Sequence, residues 1–250
     1  EAIEEIDNII DLADGIMVAR GDLGVELPME RVPLLQKMIV QKCIQIGKPV
    51  IIATQMMESM IISNTPTRAE VNDVANAVMD GADAVMLSAE TSVGKFPIKV
   101  VEIMRKIITE VEELDSIYYK ENTPQIKTIT YITDSICFNA CSLAHHAGAN
   151  AIISLTNSGY TAFKLSSHRP KAPIFIFTDN LSLLTTLNLV WGVRGYYYDK
   201  YESTDHTIGD LKDIIKSKGL LKKDDLVINI ASMPMKEKGR TNMMKLSYIS

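Results

Sequence analysis

The chain has only three cysteines in 250 residues, Cys43, Cys137 and Cys141. An odd count in a long chain makes no disulfide framework and fits a reducing compartment, so a cytoplasmic location is expected. Cys137 and Cys141 stand one helical turn apart, but His145 and His146 nearby do not complete a zinc-ligand spacing, so packed free thiols are expected. No apolar run reaches the ~18 to 20 residues that a membrane span needs. Nor is there an excess of positive charge: 26 Lys and Arg against 31 Asp and Glu give a net charge of −5. That removes the electrostatic basis for binding nucleic acid or an anionic membrane surface. The start, Glu1 to Ile6, has neither an initiator methionine nor the features of a signal peptide, and reads as a helix entered part-way. The sequon Asn180-Leu181-Ser182 and the tripeptide Arg20-Gly21-Asp22 are chance matches in a cytosolic chain. There is no internal repeat and no low-complexity tract.

What is present is a hydrophobic content of 46%, enough for one large domain or two of ordinary size. The most informative stretch is Asp14 to Glu26, where a short apolar run ends abruptly in an arginine, two glycines and a carboxylate. Apolar residues without polar alternation suit a strand covered on both faces, and polar groups at the C-terminal end of such a strand sit where parallel α/β enzymes bind ligands. The pattern recurs as Pro49 to Ala53 running into Thr54-Gln55, and as Ala84 to Leu87 running into Ser88-Ala89-Glu90-Thr91. Between these strands the spacing predicts helices. Ile3, Ile6, Ile9 and Ile10 mark one over residues 1 to 13. Val32, Leu35, Ile39, Cys43 and Ile46 mark one over 30 to 46, and Val71, Val74, Ala75 and Val78 mark one that starts at a Thr67 to Glu70 capping box. A fourth runs from Pro97 to about Glu113. Right-handed βα units of this kind form either a closed eight-stranded barrel or an open doubly wound sheet.

The polar stretch Tyr118 to Gln125 is the expected domain boundary, dividing the chain into 1–117 and 118–250. Beyond it the pattern predicts a helix over 134–146, a strand over 151–155, a helix over 159–168, a strand over 174–177 and a helix over 180–189. A strand over 193–198, a helix over 204–218 and strands over 226–231 and 243–249 follow. Such alternation implies a mostly parallel three-layer α/β domain whose last strand can return antiparallel. Thr156-Asn157-Ser158-Gly159-Tyr160-Thr161 joins a strand to a helix and offers hydroxyls and free N–H groups at the positive end of a helix dipole. That suits a phosphate cradle, and equally a plain N-cap.

Three runs, MVARGDLGVELP from Met17, GKPVIIATQMMESM from Gly47 and PTRAEVNDVANAVMDGADAVMLSAET from Pro66, resemble the pyruvate kinase family in order and spacing. The resemblance is dense over residues 1–117. It is looser beyond 121, where LTNSGYTA from Leu155 and GRTNMMKL from Gly239 carry it. It implies that the first part is the last three strands of a (β/α)8 barrel and the second the family's regulatory and oligomerisation domain. It also implies transfer of a phosphoryl group from phosphoenolpyruvate to ADP, giving pyruvate and ATP, with Mg²⁺ or Mn²⁺ and K⁺ as cofactors, in a homotetramer.

By that resemblance Asp22 binds the divalent metal, Gly21 and Asp22 hold the substrate carboxylate, and Thr54 contacts the substrate and helps manage protonation of the enolate. Taken alone, Asp22 fits a turn cap as well as a metal ligand, and Thr54 fits ordinary packing. Ser88 and Glu90 are rim residues without a catalytic role, with Ala89 where the family more often has glycine. Residues Thr156 to Thr161 correspond to the loop that takes a sugar-phosphate effector, with Tyr160 where a basic residue is common and Lys236, Lys238 and Arg240 as further candidates. The family's fifth-strand lysine and glutamate and its K⁺ ligands are not among these 250 residues, so the chain by itself is expected to be inactive. Two other classes stay open: a metal-dependent barrel lyase acting on pyruvate-like acids, which would not need Thr156 to Thr161, and a stand-alone phosphate-sensing or oligomerisation module.

Overall fold

The computed structural model describes residues 2–118, 123–124, 128–200, 203–233 and 239–250. They form two compact units, one ending at Ile117 and the other starting at Tyr118. Most of the expected boundary stretch and the two lysines Lys236 and Lys238 lie outside the described residues.

The first unit is built on three parallel strands in sequence order, β1 (Ile16–Ala19), β2 (Val50–Ala53) and β3 (Ala84–Val85). Its helices are α1 (Ile6–Leu12), α2 (Arg20–Glu26), α3 (Val32–Ile46), α4 (Arg68–Asp80), α5 (Ala89–Ser92) and α6 (Pro97–Val111). The core joins Val18, Val50 and Ile52 of the strands to Ile10 of α1, Ile39, Val40 and Cys43 of α3, Val74 and Ala77 of α4, and Val100 of α6. Met17, from the alternate position in β1, is 52% exposed, so this sheet buries mainly the face that carries the helices. Three strands do not close a barrel.

Several expected details shift. The chain turns into α2 directly at Arg20, although glycine and aspartate are weak helix formers, because Leu23 packs on the core and Arg20 is anchored at its guanidinium. The strand expected over 84–87 keeps only two paired residues, with one further bond from Met86 N–H to the Ile52 carbonyl at 2.9 Å. Ile46 and Val71 are exposed at 45% and 37%, and Val40 and Ile44 take the buried positions on α3, since that helix is apolar over more than one stripe.

The second unit is a five-stranded sheet in the order β6-β5-β4-β7-β8. These strands are β4 (Ala151–Leu155), β5 (Ile174–Thr178), β6 (Val193–Tyr197), β7 (Leu226–Ala231) and β8 (Met243–Tyr248), and only β8 runs antiparallel. Helices α7 (Tyr131–Ala147), α8 (Tyr160–Ser167) and α9 (Leu181–Leu187) supply Cys137, Cys141, Leu165, Leu183 and Leu187 to a core on one face. On the other face α10 (Thr204–Ser217) sets Leu211 and Ile215 against Phe175 and Phe177. This is the three-layer α/β arrangement. The three cysteines are free and buried, and burial pushes the Cys43 thiol up to about 12 and the other two upward as well. No helix among the described residues is long and apolar enough to cross a membrane.

The capping box forms as expected. Thr67 Oγ1 accepts from Glu70 N–H at 3.2 Å while the Glu70 carboxylate accepts from Thr67 N–H at 2.7 Å. The same carboxylate accepts from Ser59 N–H at 2.7 Å and Ser59 Oγ at 2.6 Å, which ties the end of the loop after β2 to the start of α4. Burial would raise the Glu70 carboxyl, but the bonds from Ser59 and Thr67 outweigh it and hold the group below its ordinary value of 4.5. With a lower value folded than unfolded, the unfolded chain binds more protons in acid. The stabilisation is therefore complete above pH 4.5 and is lost as pH falls through the folded value. We expect Glu70→Gln to lower the melting temperature at neutral pH and the gap to close as pH falls below 4.5. Thermal melts followed by circular dichroism check this, and a gap independent of pH would remove ionisation from the explanation.

Candidate functional site

The in-register pairing of β1 with β2 sets Ala19 against Ala53, so the residues after each strand meet at one rim. There the Gly21 N–H donates to Thr54 Oγ1 at 2.8 Å. Two positions 33 residues apart in the chain are thus joined at the head of α2. Thr54 Oγ1 is an acceptor here, and its own proton meets no acceptor among the described residues, which leaves it available to a ligand oxygen or carbanion.

Thr54 and Gln55 both occupy the left-handed region, at φ 68° and 53°. For a β-branched threonine that conformation is rare, and such residues cost on the order of 1–3 kcal/mol each unless their surroundings hold them. The holding group is Arg20, which sequence reasoning passed over. Its guanidinium donates to both Asp73 carboxylate oxygens at 2.6 Å, to the Thr54 carbonyl at 2.7 Å and to the Ala53 carbonyl at 3.3 Å, with Met56 Sδ at 2.9 Å. The signal available in the sequence was an arginine placed directly at the end of an apolar strand; in the structure its side chain is 13% exposed and paired with a carboxylate.

Asp22 stands in the first turn of α2, exposed, with no hydrogen-bond or ion-pair partner among the described residues. It lines a groove of about 820 Å³ that runs along the edge strand β1 and also takes in Glu26. No three His, Cys, Asp or Glu side chains converge into a metal cage among the described residues. A hard divalent cation such as Mg²⁺ keeps several waters and takes one or two carboxylates plus substrate oxygens, so Asp22 suits one ligand position of such a site and not a complete one. Glu90, by contrast, is structural. Only 3% exposed, it accepts from Ser88 N–H at 2.8 Å and Met57 N–H at 3.2 Å, fastening the loop after β2 to the end of β3. Ser88 contributes its backbone to that clasp.

In the second unit the connections from β4 to β5 and from β5 to β6 use one face of the sheet, and the connection to β7 crosses on the other. The strand order therefore reverses between β4 and β7, and crevices at such reversals, beyond the strands' C-terminal ends, are where open α/β sheets bind ligands. A cavity of about 420 Å³ lies there, lined by Thr156, Asn157, Ser158, Tyr160 and Thr161 after β4 and by Ser232, Arg240 and Thr241 after β7. Five of the six residues of the expected loop line this cavity, Gly159 being the exception, and their groups are used unequally. Thr156 Oγ1 accepts from Gly159 N–H at 3.2 Å and Ser158 Oγ from Tyr160 N–H at 3.4 Å, so the loop partly caps itself. Thr161 turns inward, its hydroxyl 2.8 Å from that of Thr241. The Tyr160 hydroxyl donates to Asp134 Oδ1 at 2.7 Å, and Thr130 Oγ1 donates to Asp134 Oδ2 at 3.0 Å. Burial, then the bond and charge of Asp134, push the Tyr160 phenol up to about 12, so it stays a neutral donor covering a carboxylate. Arg240 donates to the Ile129 carbonyl and is the cation lining this cavity among the described residues.

A strand-end rim with the free carboxylate of Asp22 and the hydroxyl of Thr54 in the first unit, and a switch-point cavity rich in hydroxyls in the second, define an α/β protein whose polar groups gather at the C-terminal ends of its parallel strands. Comparison with known proteins narrows the class. Residues 1–101 match the family model described as pyruvate kinase, barrel domain, and residues 134–247 match pyruvate kinase, alpha/beta domain. The pyruvate kinase of Clostridium acetobutylicum is 44% identical over 251 residues, covering 100% of this chain and 53% of that protein. That of Geobacillus stearothermophilus is 43% identical over 252 residues, covering 100% and 43%. A crystal structure of a pyruvate kinase from Cryptosporidium parvum superposes with a TM-score of 0.90 at 36% identity, covering 100% of this chain and 50% of that one. The chain belongs to the pyruvate kinase family, and it spans about half the length of the relatives it matches.

Gly159 makes the switch-point cavity sensitive to substitution. Its φ is +83°, and a Cβ there would lie 2.5 Å from Leu183 Cδ1 and 3.2 Å from Phe163. Gly159→Ala should therefore destabilise the second unit by about 1–3 kcal/mol. Urea unfolding monitored at Trp191 measures it, and an unchanged midpoint would mean that the loop tolerates another path.

Proposed function

We propose that this chain forms one wall of a pyruvate kinase active site and that the complete enzyme transfers a phosphoryl group from phosphoenolpyruvate to ADP. The observation that carries the reading is the Gly21 to Thr54 contact at adjoining strand ends, with the free carboxylate of Asp22 one residue away. In the reaction the bond from phosphorus to the enol oxygen breaks, a bond to the ADP terminal phosphate forms, and the enolate carbon takes a proton to give pyruvate. Asp22 would contribute one oxygen to a Mg²⁺ or Mn²⁺ ion, whose chemistry when bound is to offset the charge gathered on the phosphate oxygens. The Asp22 N–H meets no acceptor among the described residues, which would leave it to the substrate carboxylate. The Thr54 hydroxyl is held as an acceptor by Gly21, so its proton is directed away from the backbone and towards the place where the enolate develops. K⁺ has no assigned ligand in this chain.

Membership of the family supports the reading, and the resemblance implies that the lysine and glutamate of the family's fifth barrel strand fall outside these residues. The 250 residues by themselves should give background rates in a coupled pyruvate assay. Replacing the matching segment of the Clostridium acetobutylicum enzyme by this chain should restore turnover, and Asp22→Ala in that chimera should lower kcat by at least about 100-fold. A folded chimera without transfer, or one indifferent to Asp22→Ala, would sink the proposal.

The second unit is proposed to bind a sugar phosphate at the switch-point cavity, supported by the hydroxyl-rich loop and by Arg240. Asn157, Ser158 and Thr161 have N–H groups that meet no acceptor among the described residues, and these would hold the phosphate oxygens. Calorimetry with fructose 1,6-bisphosphate, glucose 6-phosphate and ribose 5-phosphate should show binding by at least one, weakened about tenfold by Arg240→Gln. If none binds and none raises the melting temperature, the loop is a helix cap only.

A further inference from the structure

In an extended strand successive carbonyls point to opposite sides, yet the carbonyls of Ala53 and Thr54 converge on the single guanidinium of Arg20, at 3.3 and 2.7 Å. The left-handed φ of 68° at Thr54 is what turns its carbonyl to the side of its predecessor. The other end of the guanidinium is fixed by Asp73 of α4, with both contacts at 2.6 Å, and Met56 Sδ lies against it at 2.9 Å. Arg20 is also the residue that leads β1 into α2, so the next peptide, Gly21, is the one whose N–H reaches Thr54 Oγ1. One side chain thus holds a strained turn from below while the following amide holds the hydroxyl of that turn from above.

We propose that Arg20, braced by Asp73, is a positioning residue that keeps the Thr54–Gln55 turn left-handed and so presents the Thr54 hydroxyl at the rim. Without the guanidinium two backbone carbonyls lose their donor and Thr54 is free to relax to the extended conformation that a threonine prefers. Relaxation rotates the side chain and breaks the Gly21 contact. The role depends on geometry, because a planar fork can donate to a carboxylate and two carbonyls at once, which a lysine ammonium on a single stem cannot do in the same directions. The catalytic half of this inference rests on the transfer reaction proposed above, and the conformational half does not.

The test therefore has two arms. In this chain, Arg20→Gln and Asp73→Asn are compared with the unsubstituted protein by amide hydrogen exchange at Gly21 and by the carbon-13 shifts of Thr54. Exchange at Gly21 should quicken by about tenfold or more and the Thr54 shifts should leave their left-handed values, while the rest of the unit keeps its protection. In the chimera, Arg20→Gln and Arg20→Lys should both lower kcat by about 100-fold with the nucleotide KM nearly unchanged, as expected for misplacement of a group used in the chemical step. Unchanged Gly21 exchange and Thr54 shifts in folded Arg20→Gln and Asp73→Asn proteins overturn the proposal. So does full activity of Arg20→Lys, which would make charge alone sufficient. If Arg20→Gln fails to fold, Asp73→Asn decides, since it keeps the side-chain shape and weakens only the brace. An unsubstituted chimera without transfer would refute the functional reading, leaving the conformational arm to decide the role of Arg20.

Discussion

The parallel ladder between β1 and β2 is the constraint on which the first unit depends. Its register pairs Ile16 with Val50 and Ala19 with Ala53, so the two strands end level. Because they end level, the peptide after one strand lies beside the side chain after the other, and Gly21 meets Thr54. A slip by one residue would carry Val18 and Ile52 out of the core and separate these groups at the same time. Burial of apolar side chains under α3 and α4 and alignment of the polar rim are thus one event.

The rim then concentrates strain and charge in a small space. Two left-handed non-glycine residues, Thr54 and Gln55, stand next to an arginine that satisfies the carbonyls of Ala53 and Thr54, and the arginine is neutralised by Asp73. Two buried or half-buried carboxylates nearby, Glu70 and Glu90, each accept backbone N–H groups from the loop after β2. That loop carries the residue of greatest chemical interest and is fastened from three sides. Asp22 is the contrast: Glu70, Asp73 and Glu90 are spent on structure, and Asp22 keeps both oxygens open.

In the second unit the decisive feature is the reversal of strand order. The helices after β4 and β5 lie on one face and α10 lies on the other, so a crevice opens between β4 and β7 without any residue being specialised to make it. The loop after β4 supplies hydroxyls to that crevice, while the Tyr160 hydroxyl is taken up by the carboxylate of Asp134.

By itself the sequence determined the alternation of strands and helices, the Thr67 to Glu70 cap, the three-layer second domain and, through its resemblance to a family, which residues to propose for the site: Gly21, Asp22, Thr54 and the loop from Thr156 to Thr161. These are legible because periodicity, caps and motifs are local: each is written within a few neighbouring residues. The helical start at Arg20, the short β3, the left-handed turn at Thr54 and the inward rotation of Thr161 were not. Three of them follow contacts with distant partners: the helical start and the left-handed turn that of Arg20 with Asp73, 53 positions away, and the rotation of Thr161 that with Thr241, 80 positions away. Local preference opposes several of them, since glycine disfavours a helix and threonine disfavours φ above zero. Only tertiary structure, by placing a donor or an apolar neighbour where the chain has to bend, supplies the free energy that overrides those preferences.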